Sequence, residues 1–69
     1  MSEVGIETYH EDGKWKNRIA GNVRANSTFP TKADAIADGK RQARKYGTHH
    51  IVFNLDGSEA SNTEYEKEN

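Results

Sequence analysis

Lys16 and Arg18 stand two residues apart, and the alternate positions Trp15, Asn17 and Ile19 are mostly apolar. In an extended strand side chains alternate between the two faces of a sheet. If Trp15, Ile19, Ile51 and Phe53 face a covered side, then Lys16, Arg18 and Arg24, together with Tyr9, His50 and Val52, turn to the open side. Cations interleaved with an aromatic ring are what phosphate neutralisation and base stacking require. Lys16, Arg18, Arg24, Tyr9 and His50 are therefore the candidate nucleic-acid-binding residues. The competing expectation is a solvated face, or one that Tyr9 and Val52 partly bury in a homodimer. Trp15 shares parity with Ile19 and is expected in the core rather than as a stacking platform.

Other chemistry finds little support. His10, His49 and His50 are three imidazoles, but adjacent strand residues point to opposite faces, so His49 and His50 are not expected to share a metal. No nucleophile elbow and no phosphate loop is present. Asn26-Ser27-Thr28 matches a glycosylation sequon without a secretory signal and is read as chance. The expectation is a non-enzymatic protein with no catalytic residue, no metal and no cofactor.

Charge is unevenly spread. Residues 14–50 carry nine Lys or Arg and two Asp, a net +7, whereas residues 1–13 and residues 51–69 each carry a net −4. The formal total of −1 thus hides a basic middle between acidic ends. Part of that middle needs no ligand. Asp34 and Asp38 come early in the expected helix, and Lys40, Arg41, Arg44 and Lys45 come late, which complements the helix dipole. Asp38 can also pair with Arg41 or Gln42.

The elements that must position these residues are marked by turn chemistry. With 69 residues, 32% of them hydrophobic, the chain makes one small domain at most. No apolar run approaches the ~20 residues of a membrane span, and the absence of Cys fits a cytoplasmic setting. Val4 to His10 alternates as a strand, and Asp12-Gly13 supplies hairpin chemistry. Trp15 to Ala20 forms a second strand and Val23 to Phe29 a third. Thr31 is a good N-cap for a helix over Lys32 to Tyr46, and Gly47 follows as the left-handed cap. Ile36, Gly39, Ala43 and Tyr46 share its buried stripe. A mid-helix glycine costs roughly 1 kcal/mol against alanine, so Gly39 is read as a close approach to the sheet. His49 to Leu55, a second Asp-Gly pair at Asp56-Gly57, and Ser58 to Glu64 complete a second hairpin. The fold class is α+β, an antiparallel sheet with one helix packed on one face in the order β-β-β-α-β-β. Residues 1–64 make the domain, and the polar tail 65–69 is expected to fray.

The order of residues resembles a known family. An Asp-Gly turn precedes Trp15, then come Phe29-Pro30-Thr31-Lys32-Ala33-Asp34-Ala35, Ala43, Ile51, Asp56-Gly57, and a late Thr63 with Tyr65. Over nearly the whole chain this resembles the small bacterial proteins of domain-of-unknown-function family 2188. The chain departs from that pattern at Asn17, where the family usually has an apolar residue. The resemblance implies the fold and a bacterial or phage origin, but carries over no activity. A weaker likeness, over Gly13 to Arg44, is to the arm-type DNA-binding domain of tyrosine recombinases, which lays a three-stranded sheet in the major groove. Most of it is the local chemistry of any β-to-α junction.

Two functions are expected from these residues. One is a cytoplasmic binding module that contacts nucleic acid through the basic sheet face. The other is a protein-interaction or regulatory domain, self-associating or pairing its open face or last strand with a second chain.

Overall fold

The computed structural model describes residues 5–67. Strand β1 (Ile6–Glu11) turns through Asp12 and Gly13 into β2 (Lys14–Ile19). Both turn residues have positive φ, 56° and 76°, the backbone of a two-residue type I′ hairpin. That turn fixes the register, placing Glu11 opposite Lys14, Tyr9 opposite Lys16 and Glu7 opposite Arg18. Strand β3 is only Ser27–Phe29, shorter than the pattern from Val23 predicts, and Val23 itself is almost fully exposed. Helix α1 spans Lys32–Tyr46 as expected. The Thr31 side chain accepts from the Asp34 amide, and Gly47 closes the helix with φ 65°. Strands β4 (His49–Phe53) and β5 (Glu59–Glu64) follow. Beyond β5 the Tyr65 amide donates to the Thr48 carbonyl at 3.1 Å, extending the pairing by one residue. Val4 lies outside the described residues.

The sheet order is β3-β2-β1-β4-β5, and β1 pairs with β4 in parallel. This corrects the expectation of a purely antiparallel sheet. Fifteen helical residues span about 22 Å, roughly the length of a six-residue strand. The helix therefore returns the chain to the end where β1 began, and β4 runs alongside β1. An all-antiparallel sheet would have needed β5 in the centre instead. The residues explain why it is not there: His49-His50-Ile51-Val52-Phe53 has large side chains to bury on both faces, whereas Glu59-Ala60-Ser61-Asn62-Thr63-Glu64 is exposed throughout and suits an edge.

Helix α1 lies over one face of the sheet and buries Ala35, Gly39 and Ala43. Below it are Ile6, Thr8, Asn17, His50 and Val52, all buried. Of the residues expected to be covered, Gly39 and Ala43 are fully buried. Trp15 and Ile36 are half-buried, and Ile51 and Phe53 lie on the opposite face of the sheet. The face of β4 is thus inverted relative to the expectation, because both of its faces carry large side chains and alternation alone does not choose between them. Tyr46, expected in the buried stripe, is 50% exposed.

Candidate functional site

The open face of the sheet is built from alternate residues of the strands. Register places Lys14, Lys16 and Arg18 of β2 beside Glu11, Tyr9 and Glu7 of β1. Ile51 sits level with Glu7, and Phe53, two residues on, falls level with Tyr9. On β5, Asn62 is opposite Ile51, Glu64 is opposite His49, and a bulge after Val52 brings Glu59 opposite Phe53. The face therefore reads across the sheet as a basic column, an acidic column centred on Tyr9, an apolar column and an acidic edge.

Three of the five predicted residues meet here: Tyr9, Lys16 and Arg18. The Arg18 guanidinium donates from Nε to Glu7 Oε1 at 2.7 Å and stacks over the Tyr9 ring at 4.3 Å. The Lys16 ammonium lies 3.1 Å from Glu11 Oε1 and 3.9 Å from Asp12. Both cations are held above their ordinary pKa, Lys16 by the hydrogen bond to Glu11 and Arg18 by that to Glu7. Each faces a carboxylate of the neighbouring strand, an arrangement that stabilises a sheet face locally and cancels much of the field a polyanion would feel. These pairs were within reach of the sequence, since a two-residue Asp-Gly hairpin already sets Glu7 against Arg18.

The other two predicted residues are elsewhere. Arg24 is exposed in the loop between β2 and β3, outside any strand. It belongs to no sheet face, because Asn22 and the residues after it turn away from the ladder and pairing resumes only at Ser27. His50 is only 4% exposed and points beneath the helix, so it is unavailable to any ligand on the open face. Its partner Val52 is likewise buried under the helix, and Ile51 and Phe53 take the places that had been expected for these two.

His50 instead completes a buried polar cluster. Thr8 Oγ1 donates to Asn17 Oδ1 at 2.5 Å and lies 2.7 Å from His50 Nε2. Asn17 Nδ2 donates to the Ala35 carbonyl at 2.9 Å and to Asp38 Oδ2 at 3.1 Å, which fixes the orientation of its amide. A hydroxyl has one proton, and Thr8 gives it to Asn17. His50 must therefore donate from Nε2, so the proton count assigns this tautomer. Burial, and then the charge of Lys40, lower the His50 pKa and favour the neutral ring. Burial alone would raise the carboxyl of Asp38, but hydrogen bonds from Gln42, Ser27, Arg41 and Asn17 hold it below its ordinary value. Every buried side-chain nitrogen and oxygen among the described residues has a partner.

Gly39 is the roof of this cluster. A Cβ at that position would lie 2.5 Å from His50 Nε2, 2.8 Å from Thr8 Oγ1 and 3.0 Å from Asn17 Oδ1. The departure at Asn17 and the mid-helix glycine thus have one cause: the helix rests on polar groups too bulky for a side chain between them.

Two shallow clefts open at the ends of β1 and β4. One, of about 460 Å³, is lined by Trp15, Lys32, Asn54, Leu55 and Asp56, with the Lys32 ammonium 5.4 Å above the Trp15 ring. The other, of about 230 Å³, includes Tyr9, Arg18, Phe53 and Leu55 and borders the open face. The three imidazoles do not converge: His10 packs edge-on against Trp15 at 5.0 Å, His50 is spent on Thr8, and His49 points to the opposite face of β4. No helix among the described residues is long and apolar enough to cross a membrane.

Neither the curated proteins nor the solved structures contain a match to the chain. Residues 6–61, from the first residue of β1 into β5, match the family described as an uncharacterised protein conserved in bacteria, DUF2188, and the chain belongs to that family.

Proposed function

We propose that this chain is a non-enzymatic binding module of the bacterial cytoplasm that docks a protein partner on its open sheet face. The observation that carries this reading is the pairing of Arg18 with Glu7 and of Lys16 with Glu11 beside the half-buried Tyr9, Ile51 and Phe53. Nucleic acid rewards uncompensated cations, because affinity follows the number of phosphates neutralised. A protein surface rewards aromatic anchors within a field of mixed sign. This face has the second composition.

The test places a photo-crosslinking phenylalanine analogue at Phe53 on the open face and, separately, at the exposed Ala37 of the helix, in the producing bacterium. A discrete protein adduct from position 53, and none from 37, is the expected result. The same protein is titrated with duplex and single-stranded oligonucleotides beside Lys16→Glu/Arg18→Glu. Oligonucleotide binding that falls with salt and is lost in the double variant would overturn the protein-docking reading in favour of the nucleic-acid one.

A further inference from the structure

We infer that the helix side of this domain, opposite the open sheet face, binds the phosphate backbone of duplex nucleic acid without reading its sequence. The inference comes from how the fold sorts charge. Every carboxylate carried by a strand points away from the helix: Glu7 and Glu11 sit opposite Arg18 and Lys14, Glu59 opposite Phe53, and Glu64 opposite His49. On the helix side, the same alternation leaves Ser61 and Thr63 of β5, level with the buried Val52 and His50. The formal total of −1 therefore divides between a face that holds the strand acids and a face that is basic.

The cations of the basic side stand mainly on α1. Ala35, Gly39 and Ala43 mark the buried stripe of the helix, so positions 40, 41, 44 and 45 fall on its outward half. Lys40, Arg41, Arg44 and Lys45 are all exposed. Arg41 pairs with Asp38, whereas Lys40, Arg44 and Lys45 make no ion pair among the described residues. The other carboxylate of the helix, Asp34, is in its first turn, about 9 Å along the axis from Lys40. Arg24 adds another exposed cation, in a loop that Asn26 holds against the helix through Gln42 at 2.8 Å. In the tail, Glu66 and Lys67 cancel. The helix dipole accounts for cations in the last turn, Arg44 and Lys45. It accounts neither for Lys40 and Arg24 nor for strands cleared of carboxylates on this side.

Phosphates complement such a surface, because each one neutralised by a cation releases a counterion. Single strands seek bare rings on which bases stack. Here the Arg44 guanidinium lies over the Tyr65 ring at 5.4 Å, and the Lys45 ammonium over the Tyr46 ring at 5.6 Å. A membrane surface rewards large apolar side chains along the helix, but the outward residues before these cations are Ala33 and Ala37. Duplex phosphate is the occupant that fits. Three or four neutralised phosphates give a slope of log affinity against log salt of about −3, with dissociation in the range of about 1–100 μM.

The test is fluorescence anisotropy of a labelled mixed-sequence duplex of about 20 base pairs, titrated with the full chain between about 20 and 200 mM salt. Wild type should bind with a slope of about −3, and Lys40→Gln should make that slope shallower by about 0.9. Lys32→Gln, the same charge change in the first turn of the same helix, should leave the slope unchanged. Lys40→Gln/Arg44→Gln should weaken binding at least tenfold at the lowest salt. Glutamine keeps the helix propensity of both positions, and circular dichroism checks that the variants are folded. No duplex binding at the lowest salt overturns the proposal, and so does binding that Lys32→Gln weakens as much as Lys40→Gln. Binding lost in Lys16→Glu/Arg18→Glu but kept in the helix double variant moves the site to the open face and overturns it too. Tighter binding to the unpaired strand, or to phosphatidylserine vesicles, replaces duplex phosphate as the occupant. The protein adduct from position 53 should be the same in both helix variants, so the docking reading of the open face fails or stands separately.

Discussion

Replacing Gly39 with alanine would put a methyl carbon 2.5 Å from Nε2 of His50, well inside any tolerable contact, and 2.8 Å from the Thr8 hydroxyl. None of the three neighbours is the far end of a flexible side chain. Thr8 and Asn17 are short and fully buried, and the His50 ring is held by its bond to Thr8. The helix must lift or the cluster must break. Alanine gains about 1 kcal/mol in helix propensity. Against that, overpacking costs about 1–3 kcal/mol, and a broken hydrogen bond in a buried cluster costs a further ~1–3 kcal/mol. The net expectation is a loss of about 1–5 kcal/mol. Urea unfolding reads it directly: for a domain with a slope of about 1 kcal/mol/M, a loss of 2 kcal/mol lowers the midpoint by about 2 M. Combining Gly39→Ala with His50→Ala, which removes the closest neighbour, should cost less than the sum of the two changes. An unchanged or raised midpoint for Gly39→Ala would refute the close packing of the helix on the polar cluster.

The buried imidazole makes stability depend on pH in a defined direction. His50 has its pKa lowered in the folded state from an ordinary 6.5. Above about pH 6.5 the ring is neutral in both states and stability is full; as pH falls below that value the unfolded chain takes up the proton first, and stability declines until the folded pKa is passed. Urea midpoints between pH 7.5 and 5.5 should fall for wild type and stay flatter for His50→Gln, which keeps His10 and His49; equal slopes would contradict the assignment. Because Phe53 is half-buried on the open face, Phe53→Ala is expected to cost about 1–2 kcal/mol in the monomer, short of the 3–5 kcal/mol of a core phenylalanine. Thermal unfolding at a concentration that keeps the chain monomeric measures this, and a core-sized loss would show that β4 buries the other face.

Local signals in the sequence were enough for much of this fold. Asp12-Gly13 dictates a two-residue turn and with it the register of β1 against β2. Thr31 and Gly47 bound the helix, and a glycine at position 39 in mid-helix marks a close approach to the sheet. Alternation from that register brings Tyr9, Lys16 and Arg18 onto one face. Each of these is a short-range consequence of backbone conformation or strand period, so neighbouring residues suffice to determine it. The position and facing of β4 are different. His49 to Phe53 carries large side chains on both sides, so its period names two faces without ranking them, and only the pairing of Ile6 with His50 decides that His50 and Val52 go under the helix. That pairing is also what makes the sheet mixed, joins Ile51 and Phe53 to the open face, and assembles Thr8, Asn17 and His50 into one cluster. His50 is far from Thr8 and Asn17 in the chain, and its bond to Thr8 forms only once the crossover helix has laid β4 beside β1.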